Sequence, residues 1–258
     1  MVKINSFKSL RPVATLVEKV ATRAYSNYSK EEIKLEIQKN KYSFLNVIGS
    51  NNSENAEARF KAIKSKINEF KTKGILEKDR RESVYIYKQS KNKITYTGLI
   101  CGINLEDYEN QRIKIHEKTI KNRELLFSKY LSHTKIHAEP VLLTHEEKLQ
   151  YIKKENMCPE KKIYDFRSFD NTQHEVWQIS SPKEIQKISR QFEKIKNLYI
   201  ADGHHRMASS FRYNKKSKCL AYILPTEELK TYAFHRVVNC NEQIFRDIKN
   251  KLKFKKIN

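Results

Sequence analysis

The sequence predicts a mixed α/β (α+β) fold in which helices flank a largely antiparallel sheet. Segments rich in Val, Ile, Tyr and Thr occur in pairs around short polar links at 83–103 and 164–179, which is the pattern of β-hairpins. Apolar residues at 56–70 recur with the spacing of an amphipathic helix. A third segment, 198–211, changes from a strand pattern to a helix pattern at one glycine. Strands and helices are therefore interleaved along the chain.

The other elements follow from the same spacings. Ser29 and Ser181 each precede a glutamate by three positions, which predicts capping boxes at two helix starts. Gly74 lies where a helix C-terminal cap is expected. Further helices are predicted at 13–21, 30–38, 118–130 (with Leu125 and Leu126 inward), 145–156, 182–195 and 242–252. Further strands are predicted at 42–48, 140–143, 219–224 and 232–238, after an extended segment at 6–12.

Length and composition suit one domain over residues 1–258, and the best position for an internal break is 157–162. No apolar run reaches membrane-spanning length and no signal-type segment opens the chain, so we expect a cytoplasmic protein without a membrane partner. Four scattered cysteines predict reduced thiols, not a disulfide framework or zinc site: Cys101, Cys158, Cys219 and Cys240.

A formal net charge of +22 is compatible with a nucleic-acid partner. The excess is mostly lysine and is spread along the whole chain, without a basic arm or an RNA-recognition motif. A lysine-rich composition explains the charge equally well. We therefore do not expect direct binding to nucleic acid.

The segment around Gly203 is the strongest functional signal. The apolar run 198–201 is followed by Asp202 and Gly203, and a helix pattern then begins with His204, His205 and Arg206. The first amide groups of a helix are free and lie at the positive end of its dipole, so such a turn suits an anion. Cationic side chains are disfavoured there, and we expect an external oxyanion to complete the site. The alternative is a surface turn with incidental basic residues.

A second cluster, His116-Glu117 followed by Thr119, lies after the first hairpin. A histidine beside a carboxylate can orient a substrate hydroxyl or hold a metal ion. The alternative is an exposed charged turn. Glu139, held extended before a proline, and His174 are further side chains that can face a cleft.

The segment 199–206, followed by Ala208-Ser209-Ser210, resembles the signature of the bacterial Domain of Unknown Function 1015 family. Segments at 114–119, 138–144, 174–177 and 236–238 look familial as well, so that the resemblance spans nearly the whole chain. Two features depart from the family pattern. Ser26 stands where many members have the aspartate of a Pro-Tyr-Asp turn, and the chain ends at Asn258, before the C-terminal part of longer members.

The family's Gly-His-His-Arg turn is similar to the Gly-x-x-Arg turn of the ParB/sulfiredoxin superfamily. This similarity implies a ParB/sulfiredoxin-like core around 198–211 and phosphate binding at the helix start, and that superfamily includes free-serine kinases. Arg206 can grip two phosphate oxygens. The implied phosphate-binding residues are Gly203, His204, His205 and Arg206. The candidate catalytic residues are Asp202, His204, His205, Glu117 and His116, and Asp202 can either hold Mg²⁺ or accept a substrate proton.

These observations predict a nucleotide-binding protein. Its expected activity is that of a phosphotransferase that uses ATP or ADP with Mg²⁺ and acts on a small hydroxylated metabolite such as free serine. Walker and dinucleotide-binding glycine motifs are absent from the sequence, which excludes a P-loop or Rossmann site. Two alternatives remain. One is a ParB-like module in which a nucleotide gates attachment to DNA or protein, and the other is a shortened, inactive family member.

Overall fold

The fold is described here from a computed structural model that covers residues 2–49, 55–151, 156–230 and 239–251. Within these ranges nine strands form one sheet in the order β6-β10-β7-β11-β5-β4-β9-β8, with β1 paired to β5. Strands β2 and β3 form a separate two-stranded sheet. The bounds of the strands are β1 (Ile4–Asn5), β2 (Leu10–Pro12), β3 (Leu76–Lys78), β4 (Val84–Lys91), β5 (Ile94–Asn104), β6 (Ile113–Lys114), β7 (Val141–His145), β8 (Lys162–Arg167), β9 (Gln173–Ile179), β10 (Leu198–Asp202) and β11 (Lys218–Pro225).

Helices flank this sheet. Their bounds are α1 (Val17–Val20), α2 (Lys30–Lys39), α3 (Leu45–Ile48), α4 (Ala56–Thr72), α5 (Leu105–Glu109), α6 (Lys121–Thr134), α7 (Pro182–Phe192), α8 (His204–Tyr213) and α9 (Glu242–Lys251). In the large sheet, only the pairs β6–β10 and β7–β11 are parallel. The predicted mixed α/β fold with a largely antiparallel sheet is confirmed, and the ParB-like core stays a prediction.

Both predicted hairpins form. Strands β4 and β5 pair in antiparallel register from Tyr85–Ile100 to Lys91–Ile94. Asn92 and Lys93, which connect them, both have positive φ, as the tightest hairpin turns require. Strands β8 and β9 pair in the same way. Ile86 and Leu99 are fully buried, so the first hairpin lies in the main core.

Helix α4 covers a second, smaller core with the apolar stripe that its sequence predicts. Phe60, Ile63, Ile67 and Phe70 are all buried there. Gly74 follows the helix with φ of 66°, as predicted for a cap. The capping box of Ser29 forms with both of its hydrogen bonds at the start of α2.

Three predicted elements differ in the structure. Residues 42–48 form a turn and the short helix α3 instead of a strand, because the Asn46 side chain donates to the backbone oxygens of Asn40 and Ser43. Residues 146–151 are not helical, because the fully buried Tyr151 anchors this segment in the core. Helix α6 forms, but Leu125 and Leu126 are exposed.

Two smaller predictions are qualified. Ser181 precedes α7 without a capping hydrogen bond from its side chain, although Pro182 opens the helix as predicted. The predicted strand 232–238 and the side chain of Ser26 lie outside the described residues.

No helix of the described residues is long and apolar enough to cross a membrane.

One edge of the sheet gathers the predicted functional segments. Strands β6 and β10 are parallel, and β7 runs antiparallel to β10. The carboxyl ends of β6 and β10 therefore meet the amino end of β7 at the same edge. The segments placed there are 115–119 after β6, 202–206 after β10, and 138–140 before β7. The topology thus explains why residues distant in sequence share one place.

Candidate functional site

The turn from β10 into α8 is built around Gly203. Its φ is 96°, a conformation that residues with a Cβ rarely adopt. The first backbone bond of the helix runs from the amide of Met207 to the oxygen of Gly203, at 3.0 Å. Gly203 is the N-cap residue and has no side chain with which to cap this helix start. The amides before Met207 are therefore available to an acceptor from outside the helix.

Arg206 lies across this glycine. A Cβ added to Gly203 would lie 2.8 Å from Nε and 2.8 Å from Nη2 of Arg206, so a side chain there would displace the guanidinium. Nη2 contacts Oδ2 of Asp202 at 2.5 Å, and Nη1 contacts Oε2 of Glu139. Nε is buried and has no hydrogen-bond partner among the described residues. The guanidinium is thus held by two carboxylates, and its buried Nε–H has no partner among the described residues.

His204 joins the turn to the segment after β6. Its side chain is 5% exposed. Its ring meets that of His116 edge to face, with centroids 4.4 Å apart. Nδ1 lies 4.0 Å from Oε2 of Glu117, and Nε2 accepts a long bond of 3.5 Å from the backbone amide of His116. Burial, followed by repulsion from His116, lowers the pKa of His204, which favours a neutral ring at neutral pH.

His205 points to the other side, toward helix α6. Its Nε2 accepts a hydrogen bond of 3.0 Å from the backbone amide of Ile120, so that the ring proton is on Nδ1. Arg212 and Glu124 form a second link between α8 and α6, at 2.9 Å. The hydroxyl of Thr119 also donates to Glu124 and, with Arg212, lowers the pKa of that carboxyl. These contacts hold α6 and its preceding loop against α8, at His205 in its first turn and at Arg212 near its end.

Two small cavities open beside the turn. One, of about 300 Å³, is lined by Glu117, Thr119 and His204 together with Tyr108, Ile115 and Lys118. The other, of about 210 Å³, has a mainly apolar lining that includes Phe127 and Tyr130 and reaches Arg206 and Glu139. A ligand bound at the turn therefore has the Glu117 and His204 side chains on one side and an aromatic lining on the other.

All seven predicted site residues lie at this edge of the sheet. They form two groups, one around Arg206 and one around His204; Gly203 and His205 complete the turn. Glu139, which was expected to face a cleft, contacts Arg206. His174 lies elsewhere, on β9, where it contacts the hydroxyls of Tyr87 and Ser168.

The ion pair Glu124–Arg212, which links α6 to α8, was not predicted from the sequence. The two residues are 88 positions apart and belong to no motif, so no local signal marks them.

The comparisons with known proteins agree with the motif at the turn. Neither a curated protein nor a solved structure matches this chain significantly. A family model described as "Protein of unknown function (DUF1015)" matches residues 4–256. Because that match covers nearly the whole sequence, the chain belongs to the DUF1015 family.

Proposed function

We propose that this protein binds a Mg²⁺–nucleotide at the start of α8 and transfers a phosphoryl group to a small hydroxylated metabolite such as free serine. One observation carries the proposal: the uncapped turn at Gly203 adjoins the pair His116-Glu117, and Glu117 and His204 line the same cavity. Phosphate seats and acid–base groups must be neighbours for phosphoryl transfer, which depends on positioning and electrostatics more than on covalent chemistry. We place the activity in the cytoplasm.

The seat for phosphate is the helix start itself. Uncapped amides at a helix N-terminus donate to phosphate oxygens, and the dipole favours negative charge there. The unused Nε donor of Arg206 supports the same role, because a buried donor without an acceptor costs about 1–3 kcal/mol. In the proposal Arg206 turns from its carboxylates to the phosphate. His204 and His205 remain predicted phosphate ligands.

The carboxylates around the turn make this seat dependent on Mg²⁺. Asp202 and Glu139 both contact Arg206, and Glu117 lies beside His204. The negative charges of these three carboxylates outnumber the single positive charge of Arg206, so that a phosphate anion without a metal ion would be repelled from the turn. Mg²⁺ takes carboxylate and phosphate oxygens as ligands, so Asp202 would hold the ion, which would supply positive charge for the phosphate and leave Arg206 free to bind it as well. Nucleotide and metal are therefore expected to bind as one unit.

The proposed transfer needs a proton acceptor. The substrate hydroxyl oxygen attacks the terminal phosphorus, the bond to the bridging oxygen of the leaving nucleotide (ADP from ATP, AMP from ADP) breaks, and the hydroxyl proton passes to a carboxylate. Glu117 suits this role because it lines the cavity with His204, and Asp202 is the alternative on the other side of Gly203. His116 orients the hydroxyl in this scheme.

Thermal unfolding tests the proposal. ATP, ADP or CTP with Mg²⁺ is expected to raise the melting temperature, since a ligand that binds only the folded state stabilises it. Arg206→Ala is expected to abolish the shift. Arg212→Ala is the matched control, because Arg212 lies on the same helix and also pairs with a carboxylate, but lies away from the turn. The absence of a shift with every nucleotide, with and without Mg²⁺, would overturn the proposal.

A further inference from the structure

Two histidines and a glutamate converge beside the start of α8, where Glu117 and His204 also line the cavity of about 300 Å³. One ligand atom from each of His116, Glu117 and His204 can be chosen so that all three lie within 4.8 Å of one another. Across the described ranges no other set of three His, Cys, Asp or Glu side chains comes this close. The ligands come from two separate elements, the segment after β6 and the first turn of α8.

We propose that His116, Glu117 and His204 form a site for a divalent transition-metal ion of the Zn²⁺ or Co²⁺ class. Imidazole nitrogen is a preferred ligand of such ions, whereas Mg²⁺ takes oxygen ligands and keeps much of its water. The site is therefore distinct in chemistry from the Mg²⁺ proposed at Asp202. Two histidines and one carboxylate also match the three-ligand sets of open catalytic metal sites.

The present geometry needs only a small adjustment to accept the ion. Bonds of about 2.0–2.2 Å in a tetrahedral site place neighbouring ligand atoms about 3.3–3.6 Å apart. Nδ1 of His204 and Oε2 of Glu117 are 4.0 Å apart. His204 is buried and forms the fixed side of the site, while His116 and Glu117 are exposed and can move toward it.

Metal binding also changes the tautomer of His204. Ligation through Nδ1 moves the ring proton to Nε2, which ends the bond that Nε2 accepts from the amide of His116. That bond is 3.5 Å long, beyond the usual hydrogen-bond range, so its loss costs little. A neutral imidazole is the form that a metal requires.

The ion would keep open positions toward the cavity of about 300 Å³. Lys118 and Thr119 also line this cavity, and Lys118 adds a positive charge. An oxygen ligand with negative charge, such as a carboxylate or phosphate group, fits this combination. The inference does not require the proposed function, because the metal alone occupies the site without a nucleotide. The two share His116 and Glu117, so that with the ion bound the proton acceptor of the transfer is Asp202 and not Glu117.

Calorimetric titration with Zn²⁺, and the visible spectrum of the Co²⁺ form, test the site on tag-free protein cleared of metal. We expect one tight equivalent per chain. His116→Asn and Glu117→Gln are expected to weaken binding about tenfold or more each, and both residues are exposed, so folding is expected to survive. His204→Ala removes the buried ligand and is interpreted only if its circular dichroism matches that of the wild type.

His133→Asn is the matched control. His133 pairs with Glu57 at 3.6 Å. The two residues form a histidine–carboxylate pair that, unlike the proposed site, includes one histidine. The His133→Asn variant is expected to bind one equivalent of Zn²⁺ as tightly as the wild type. Equal loss in this control, or a wild type that binds no more tightly than the His116 and Glu117 variants, would overturn the inference. Arg206→Ala is expected to keep the metal and lose the nucleotide, which separates this test from that of the proposed function.

Discussion

Gly203→Ala is the substitution whose effect follows most directly from the structure. Gly203 has φ of 96°, and its added Cβ would lie 2.8 Å from Nε and Nη2 of Arg206. Left-handed backbone costs a residue with a Cβ roughly 1–2 kcal/mol. The guanidinium must also leave Asp202 and Glu139, two partly exposed pairs worth about 0.2–1 kcal/mol each. The expected loss in the free energy of unfolding is about 2–3 kcal/mol.

Gly74→Ala is the control for backbone strain alone. Gly74 also has positive φ, but a Cβ there meets nothing within 4 Å. Its expected loss is about 1–2 kcal/mol. Urea denaturation measures both variants, and a nucleotide titration is added to each. Gly203→Ala is expected to lose more stability than Gly74→Ala and, unlike it, to lose nucleotide binding. Equal losses with nucleotide binding intact would refute the placement of Arg206 across the turn.

Three further predictions concern the turn, the core and pH. Arg206→Lys keeps the charge but loses the planar fork, so calorimetry is expected to show nucleotide affinity about tenfold weaker with little change in unfolding. Ile86→Ala leaves a cavity in the core at the buried start of β4, where Ile86 is fully buried, and is expected to cost about 2–5 kcal/mol in urea denaturation; a loss below about 1 kcal/mol would contradict this packing. Burial lowers the pKa of His145 in the folded protein. Below about pH 6.5 this histidine is therefore protonated more readily in the unfolded chain than in the folded chain. The free energy of unfolding is therefore expected to fall between pH 7.5 and pH 5.5, by at most about 1.4 kcal/mol per pH unit for this group. A stability that is unchanged or rises over this interval would contradict the sign.

The sequence predicted the elements whose patterns are local. Alternation and polar links specify the hairpin β4–β5, and the helical stripe specifies α4, because each pattern matches the surface that the element buries. The strand, glycine and helix at 198–213 also follow from adjacent residues. Glycine is the only residue type that adopts the backbone conformation of position 203, with its positive φ, without strain.

The sequence could not predict features that depend on distant partners. Ser43, Leu45 and Val47 are buried at alternate positions, which imitates a strand, but hydrogen bonds from the side chain of Asn46 close a turn there. Tyr151 is held in the core by a bond to the backbone of Ile223, and this long-range contact overrides the helical pattern of its segment.

The candidate site shows the same division. Its motif residues are contiguous in sequence and were recognised. The contact of His204 with His116 spans 88 positions and depends on the parallel pairing of β6 with β10. The two carboxylates on Arg206 likewise come from different strand ends. Sequence alone therefore gave the residues of the site but not the two groups that they form.

Amide resonances of the turn test the central claim most directly. In ¹⁵N-labelled protein titrated with Mg²⁺ and ADP, the amides of Gly203, His204, His205 and Arg206 are expected to show the largest shifts, and the same titration without Mg²⁺ is expected to leave them in place. If these four amides do not move while resonances elsewhere do, the nucleotide does not bind at the start of α8.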